Sequence, residues 1–163
     1  MTELTAAAVG VLRAEPLFAL YLDVAFDRVQ VIGATTAGWR GVYPVDGGHF
    51  EGARLRGRVL PGGADWVVRR GDGATAIDVR LMLATDDGAA IAMTYTGLLC
   101  LNGTAGRQFR NGEPTDYRDT YIRTTPRFET ADERYVWLNR VIAVANGGAP
   151  GTGDPTYQVF EIL

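Results

Sequence analysis

The chain contains no serine and no lysine, a single histidine (His49) and a single cysteine (Cys100). Without serine there is no serine nucleophile and no triad built on one. Without lysine there is no Schiff-base amine and no lysine for a phosphate loop. One His and one Cys fall short of a conventional zinc site, which draws several ligands from those two residue types. A carboxylate-held Mg or Ca stays open, although no motif asks for it. The lone cysteine rules out an internal disulfide framework and is compatible with a reducing compartment. No apolar run reaches the roughly 20 residues that span a bilayer. Positive charge is not in excess either: 16 basic residues, all arginine, stand against 19 acidic ones for a net charge of −3, unlike a nucleic-acid footprint. The start, "MTELTAAAVGVLRAEP", is acidic rather than basic, so no signal peptide is read there. The expectation is a soluble cytoplasmic protein with a small-molecule ligand, without cofactor or metal, and without nucleic-acid or membrane partners.

What is present is β texture. The 163 residues are 47% hydrophobic, enough for one domain with a real core. "PLFALYLDVAF" (16–26) alternates loosely and is rich in aromatic and branched side chains, a strand signal, and the short "VQVIG" follows. "WRGVYPV" (39–45) runs through Gly47 and Gly48 into "HFEG" and "ARLRGRVL", which ends at "PGGAD", a turn by its chemistry. "WVVRR" leaves through "GDG" (71–73), and "TAIDVRLMLAT" meets "AAIAMTYTGLLCL" across "DDG" (86–88); both are short hairpin connections whose glycines tolerate positive φ. Residues 102–117, "NGTAGRQFRNGEPTDY", hold few apolar side chains and read as a long loop of the kind that often serves as a lid. "RDTYIRTTPRFET" returns to strand pattern, with Pro126 at an edge or bulge. One short helix is predicted near 131–138, where Thr130 and Glu133 stand at capping-box spacing. "RVIAVANGG" and "YQVFEIL" finish as strands around the Gly-rich "GGAPGTGDP". Eight or more strands without repeat or linker indicate an all-β antiparallel sandwich or closed barrel. A barrel of about eight strands is either filled by side chains or holds one small ligand.

Several blocks resemble a known family. "GGHFEG", "LRGRVLPGGADW", the Asp78 hairpin with "TDDG", and "YIRTTPRFET" followed by "RYVWLNR" look like the signature blocks of the Domain of Unknown Function 3237 family, also called uncharacterised protein family 0311. The resemblance runs from about Glu15 to the C-terminus. It implies a single closed antiparallel β-barrel over 15–163, similar to that of allene oxide cyclase and its relatives, preceded by an extension at 1–14. The 102–117 segment differs from the family's usual loop in length or content.

Candidate chemistry rests on carboxylates, Tyr and Arg, the tools that remain. In "AIDVRLML" Ile77, Val79, Leu81 and Leu83 share one face and Asp78, Arg80, Met82 and Ala84 the other. Either Asp78 and Arg80 are a solvated pair, or they face a cavity whose apolar wall includes Met82, where a buried Asp must be paired or have its pKa raised. Asp65 either braces the turn after "PGGA" by accepting backbone N–H bonds or, held against Trp66 in a dry pocket, acquires the raised pKa of a general acid. Met93 and Tyr95 share a face of the next strand, and the Tyr95 phenol either just satisfies its hydroxyl or polarises a substrate carbonyl. Tyr121 and Arg123 align in "YIRTTPRFE", with Arg123 a planar donor for an oxyanion or a structural ion-pair partner. Trp137 and Asn139 plug a barrel end or line the ligand. His49 in "GGHFEG" reads as an ordinary polar contact, and Cys100 as a small hydrophobe.

Together these describe an acid–base isomerase, cyclase or lyase acting on a hydrophobic, oxygenated small molecule, aromatic or polycyclic among the options. Asp65, Asp78, Tyr95 and Arg123 would be the reacting groups. The alternatives are a non-catalytic lipophile-binding barrel and a structural homo-oligomer component.

Overall fold

Strict alternation makes one side of each strand dry. The structure, a computed structural model, describes residues 10–101, 103–149 and 154–163. In β5 (Thr75–Thr85) Ile77, Val79, Leu81 and Leu83 are all buried, while Arg80 and Met82 are exposed. Its neighbour β6 (Ala90–Cys100) buries Ile91, Met93 and Tyr95 on the matching face. Among the described residues there are nine strands, β1 (Ala14–Val24), β2 (Gln30–Thr35), β3 (Gly38–Glu51), β4 (Arg56–Arg69), β5, β6, β7 (Tyr121–Glu129), β8 (Ala143–Gly148) and β9 (Thr156–Ile162), and all but β2, which buries none of its residues, keep buried inward positions. Antiparallel pairing runs β1–β9–β8–β7–β6–β5–β4–β3, and β3 pairs back to β1, so eight strands close a barrel and leave no free edge among them. β2 is a ninth strand, hairpinned onto the first half of β3 outside the ring.

The two glycine turns are hairpins as read from the sequence, joining Arg69 to Thr75 and Ala84 to Ala90. "PGGAD" is not a turn. It lies inside β4 as a bulge between Leu60 and Ala64, facing a second bulge between Val45 and His49 of β3. The same residues that make turns also bend a strand that must wrap a barrel. Gly48 shows the constraint: it sits at φ +132, and a Cβ there would lie 2.0 Å from the Tyr21 carbonyl oxygen.

A short helix forms in the region where one is predicted, as a 3-10 turn at Val136–Arg140. Thr130 does not cap it: the N-cap position is Tyr135, which makes no side-chain cap bond, and the Thr130 Oγ1 instead accepts the Asp132 N–H at 3.2 Å and donates to the Ala90 carbonyl at 2.7 Å. The α-helix among the described residues is elsewhere, α1 at Gly103–Arg110, inside the segment expected to be loop. Of the extension assigned to 1–14, residues 1–9 lie outside the described residues, and β1 begins at Ala14.

Strand direction divides the interior into two halves. At one end Phe18 packs on Phe50 and Phe128 with ring centroids 5.6 and 5.8 Å apart. Leu138 from the 3-10 turn, fully buried at 0% exposure, plugs that end with Leu83 and Ile91. The other end, where β4 turns into β5 and β6 runs into α1, is hollow.

Candidate functional site

The hollow half encloses a cavity of about 840 Å³, inside the range of small-molecule sites. Its depth is graded by burial. Leu22, Val45, Val79, Tyr95, Ile122 and Tyr157 form the buried floor and walls, whereas Phe26, Val31, Arg69, Arg70 and Arg110 are exposed at the opening. The β2–β3 hairpin contributes Val31 and Trp39 to the rim, and α1 with the turn after it contributes Phe109, Arg110, Asn111 and Gly112. The barrel is therefore filled by its own side chains at one end and open to a ligand at the other.

Asp65 lies on the inner face of β4 because it pairs with the inward residue Val79. Its Oδ1 accepts the backbone N–H of Asp78 at 3.1 Å. Burial nevertheless dominates, raising its pKa from the ordinary 3.8 to about 7 against the lowering effect of that bond. Tyr95 and Tyr157 have rings 5.4 Å apart. Burial raises the pKa of both phenols, and the nearby Asp65 charge raises them further, so both remain protonated donors at neutral pH. The Tyr95 hydroxyl is buried and makes no hydrogen bond of normal length and geometry among the described residues, although the Tyr157 phenol lies near enough to influence its titration. A buried hydroxyl without a partner is costly. Gly147 makes room for Tyr157: a Cβ there would fall 2.8 Å from the Tyr157 ring.

Of the residues picked from the sequence, the structure brings Asp65 and Tyr95 together in the cavity. Asp78 is corrected to the outer face. There it gives its backbone N–H to Asp65, so the two aspartates are joined through main chain and do not share a proton between carboxyls. Arg80 and Met82 share that outer face, and Trp66 lies there too, with the Arg80 guanidinium 5.6 Å from its ring. The ring beside Asp65 in sequence is thus not the wall that desolvates it. Arg123 and Tyr121 also point outward, because Ile122 and Thr124 fill the inward positions of β7; Arg123 donates to the Ile122 carbonyl at 2.9 Å and lies 5.0 Å from the Tyr121 ring. Met93 is inward but in the packed half. Trp137 and Asn139 belong to the plugged end, far along the strands from the cavity. Arg54 lies 3.5 Å from the Trp137 ring centroid, and the Asn139 amide clamps the Thr130 N–H and C=O, both at 2.9 Å. His49, left out of the site, stacks on Tyr21 with centroids 4.4 Å apart.

Sequence reasoning missed Tyr157, the rim arginines 69, 70 and 110, Tyr43 and Phe109. Tyr157 had a signal, since it alternates with Val159 in "YQVFEIL". The rim residues had none, because they meet only when the hairpins and α1 gather at one barrel end.

A family model described as a protein of unknown function, DUF3237, matches residues 12–162. A UPF0311 protein of Rhodopseudomonas palustris is 33% identical over 118 residues, 72% of this chain and 77% of that protein. A crystal structure of a conserved R. palustris protein of unknown function superposes with TM-score 0.84 at 28% identity, covering 94% of this chain and 99% of that one. A β-barrel-like protein from Acinetobacter baumannii gives 0.80 at 34% identity, covering 94% and 98%. An enzyme from Penicillium herquei shares the fold at 22% identity with TM-score 0.66, covering 93% and 95%. With the family model spanning all the strands and a relative 33% identical over most of the chain, the protein belongs to DUF3237, a family of unknown function.

Proposed function

We propose that the protein is a cofactor-independent enzyme that moves protons on a hydrophobic, oxygenated small molecule held in the open half of the barrel. The reading rests on one observation: Asp65, with a pKa raised to about 7, faces the same apolar cavity as a buried Tyr95 hydroxyl that has no hydrogen-bond partner among the described residues. A carboxyl with that pKa is present as acid and base in comparable amounts at neutral pH, which suits general acid–base work. The chemistry follows from the atoms available. Asp65 carboxylate takes a proton from carbon adjacent to a substrate carbonyl, and the electron pair moves onto the carbonyl oxygen. Tyr95 and Tyr157 hold that enolate by hydrogen bonds while keeping their own protons. Asp65 then returns the proton at another carbon, giving isomerisation. Alternatively, the enolate carbon attacks a second carbonyl carbon of the substrate, whose π electrons move onto its oxygen and take the Asp65 proton, giving cyclisation, or the enolate expels a β-leaving group that takes the Asp65 proton, giving elimination.

A panel of hydrophobic ketones incubated in D2O tests this. Proton NMR should show deuterium entering the α-position, with a rate inflection near pH 7. Asp65→Asn should lower that rate by about 100-fold or more, while its carbonyl oxygen still accepts the Asp78 N–H. A native rate in Asp65→Asn overturns the assignment. The second reading, a non-catalytic lipophile carrier, draws on the Asp65–Asp78 bond, which gives the carboxylate a bracing role without any substrate. Saturable binding of the panel without exchange would favour it.

A further inference from the structure

We propose that the ligand of this cavity is an amphipathic anion, a hydrophobic monocarboxylate, with its apolar body in the barrel and its carboxylate held at the rim by Arg69 and Arg110. This names the substrate class of the site above, and it rests on that reading for where the reacting atoms lie.

Charge is sorted by depth. Among the described residues the only acid lining the cavity is Asp65, deep inside, whereas three guanidiniums, Arg69, Arg70 and Arg110, stand at the opening. Arg70 is answered by Asp72 of the same turn at 2.5 Å. Arg69 and Arg110 have no carboxylate partner among the described residues, although acidic residues outnumber basic ones in the chain. Arg69 is also held in place. Its Nη2 donates to the Tyr43 hydroxyl at 2.9 Å, and its guanidinium lies 4.3 Å from the Trp39 ring centroid. A guanidinium has five N–H donors in a fixed fork, so one bond to Tyr43 leaves donors for a carboxylate. Because Tyr43 and Trp39 line the cavity too, the fork is carried on the wall of the pocket and not on a free arm.

Between rim and floor the walls are Val24, Val67, Ile77, Leu99, Phe109 and Ile122, which offer no hydrogen bond from their side chains. Polarity reappears at the floor, where the Tyr95 hydroxyl lacks a partner among the described residues. The cavity thus asks for a molecule that is anionic at one end, apolar through its middle and oxygenated near the other. That order also gives orientation. A carboxylate anchored at the rim sets which carbon reaches Asp65.

The test is binding, read without turnover. Dodecanoate and dodecan-1-ol share a chain and differ in the headgroup, and each is titrated against the native protein loaded with the neutral dye N-phenyl-1-naphthylamine. Dodecanoate should displace the dye at least tenfold more tightly than the alcohol, and 0.5 M NaCl should weaken the acid while leaving the alcohol unchanged. Arg69→Gln and Arg110→Gln should each cut the acid preference about fivefold, and the double variant should abolish it. Arg58→Gln, an exposed arginine towards the plugged end of β4, should leave it intact. Equal displacement by acid and alcohol, an unchanged preference in the double variant, or no displacement by either overturns the proposal. Deuterium exchange in Asp65→Asn is a separate readout, so failure of the monocarboxylate class and failure of the acid–base reading are told apart.

Discussion

Burial withholds from Asp65 the solvation its charge needs, and that cost is a stability term as well as a catalytic one. Its folded pKa of about 7 lies above the ordinary 3.8. Below pH 4 folded and unfolded chains both hold the proton. Between pH 4 and 7 the folded state keeps a proton the unfolded state has lost, so the stabilisation present at low pH is lost as pH rises through about 7. The ceiling is about 4 kcal/mol. Asp65→Asn should therefore match the native Tm at pH 4 and exceed it at pH 8, at about 2–4 °C per kcal/mol for a chain of this size. Scanning calorimetry across the range checks this, and a parallel pH dependence in the two proteins would refute it. Tyr95 makes the opposite bargain. Its hydroxyl has no partner among the described residues, so Tyr95→Phe should leave the free protein equally stable or about 1 kcal/mol more stable while slowing exchange on the ketone panel. A clear loss of stability in denaturant unfolding would mean the hydroxyl is satisfied in solution.

Among the elements, the strands do the positioning and the short segments do the sealing. β4 and β6 bring Asp65 and Tyr95 to one cavity through simple inward alternation. The 3-10 turn at 136–140 closes the far end because Leu138 fills the barrel and Asn139 fastens it to Thr130 by two hydrogen bonds. Asn139→Ala should destabilise by about 1–3 kcal/mol in urea without changing dodecanoate binding. Altered ligand affinity would show that the two ends are coupled. Legibility differed by element for physical reasons. Both glycine hairpins could be read, since positive-φ residues between alternating runs have few other uses. "PGGAD" could not be separated from a turn, because Pro and Gly serve bulges equally well. α1 was not legible: the inward face of "GTAGRQFR" is only Ala105, Gly106 and Phe109, too short an apolar stripe to mark a helix in sequence.

At the scale of the molecule, one eight-stranded ring is a solid core at one end and a container at the other. The solid end carries the stability that lets the open end keep a buried hydroxyl and a desolvated carboxyl. Leu138→Ala should cost about 2–5 kcal/mol and lower the unfolding midpoint, yet leave the acid–alcohol preference unchanged, since the cavity it creates lies in the packed half. Loss of that preference would contradict the division into halves.

By itself the sequence determined the all-β class, the hairpins, the family blocks and the chemical palette of carboxylates, phenols and guanidiniums, because composition and a period of two are local properties. It also made Asp65 and Tyr95 candidates. Only the tertiary structure decided which face of each strand looks inward. It left Asp78 and Arg123 outside, and it added Tyr157 and the arginine rim. Closure is the reason: a strand's wet and dry faces look alike to a polar residue until the ring is joined and one side becomes an interior.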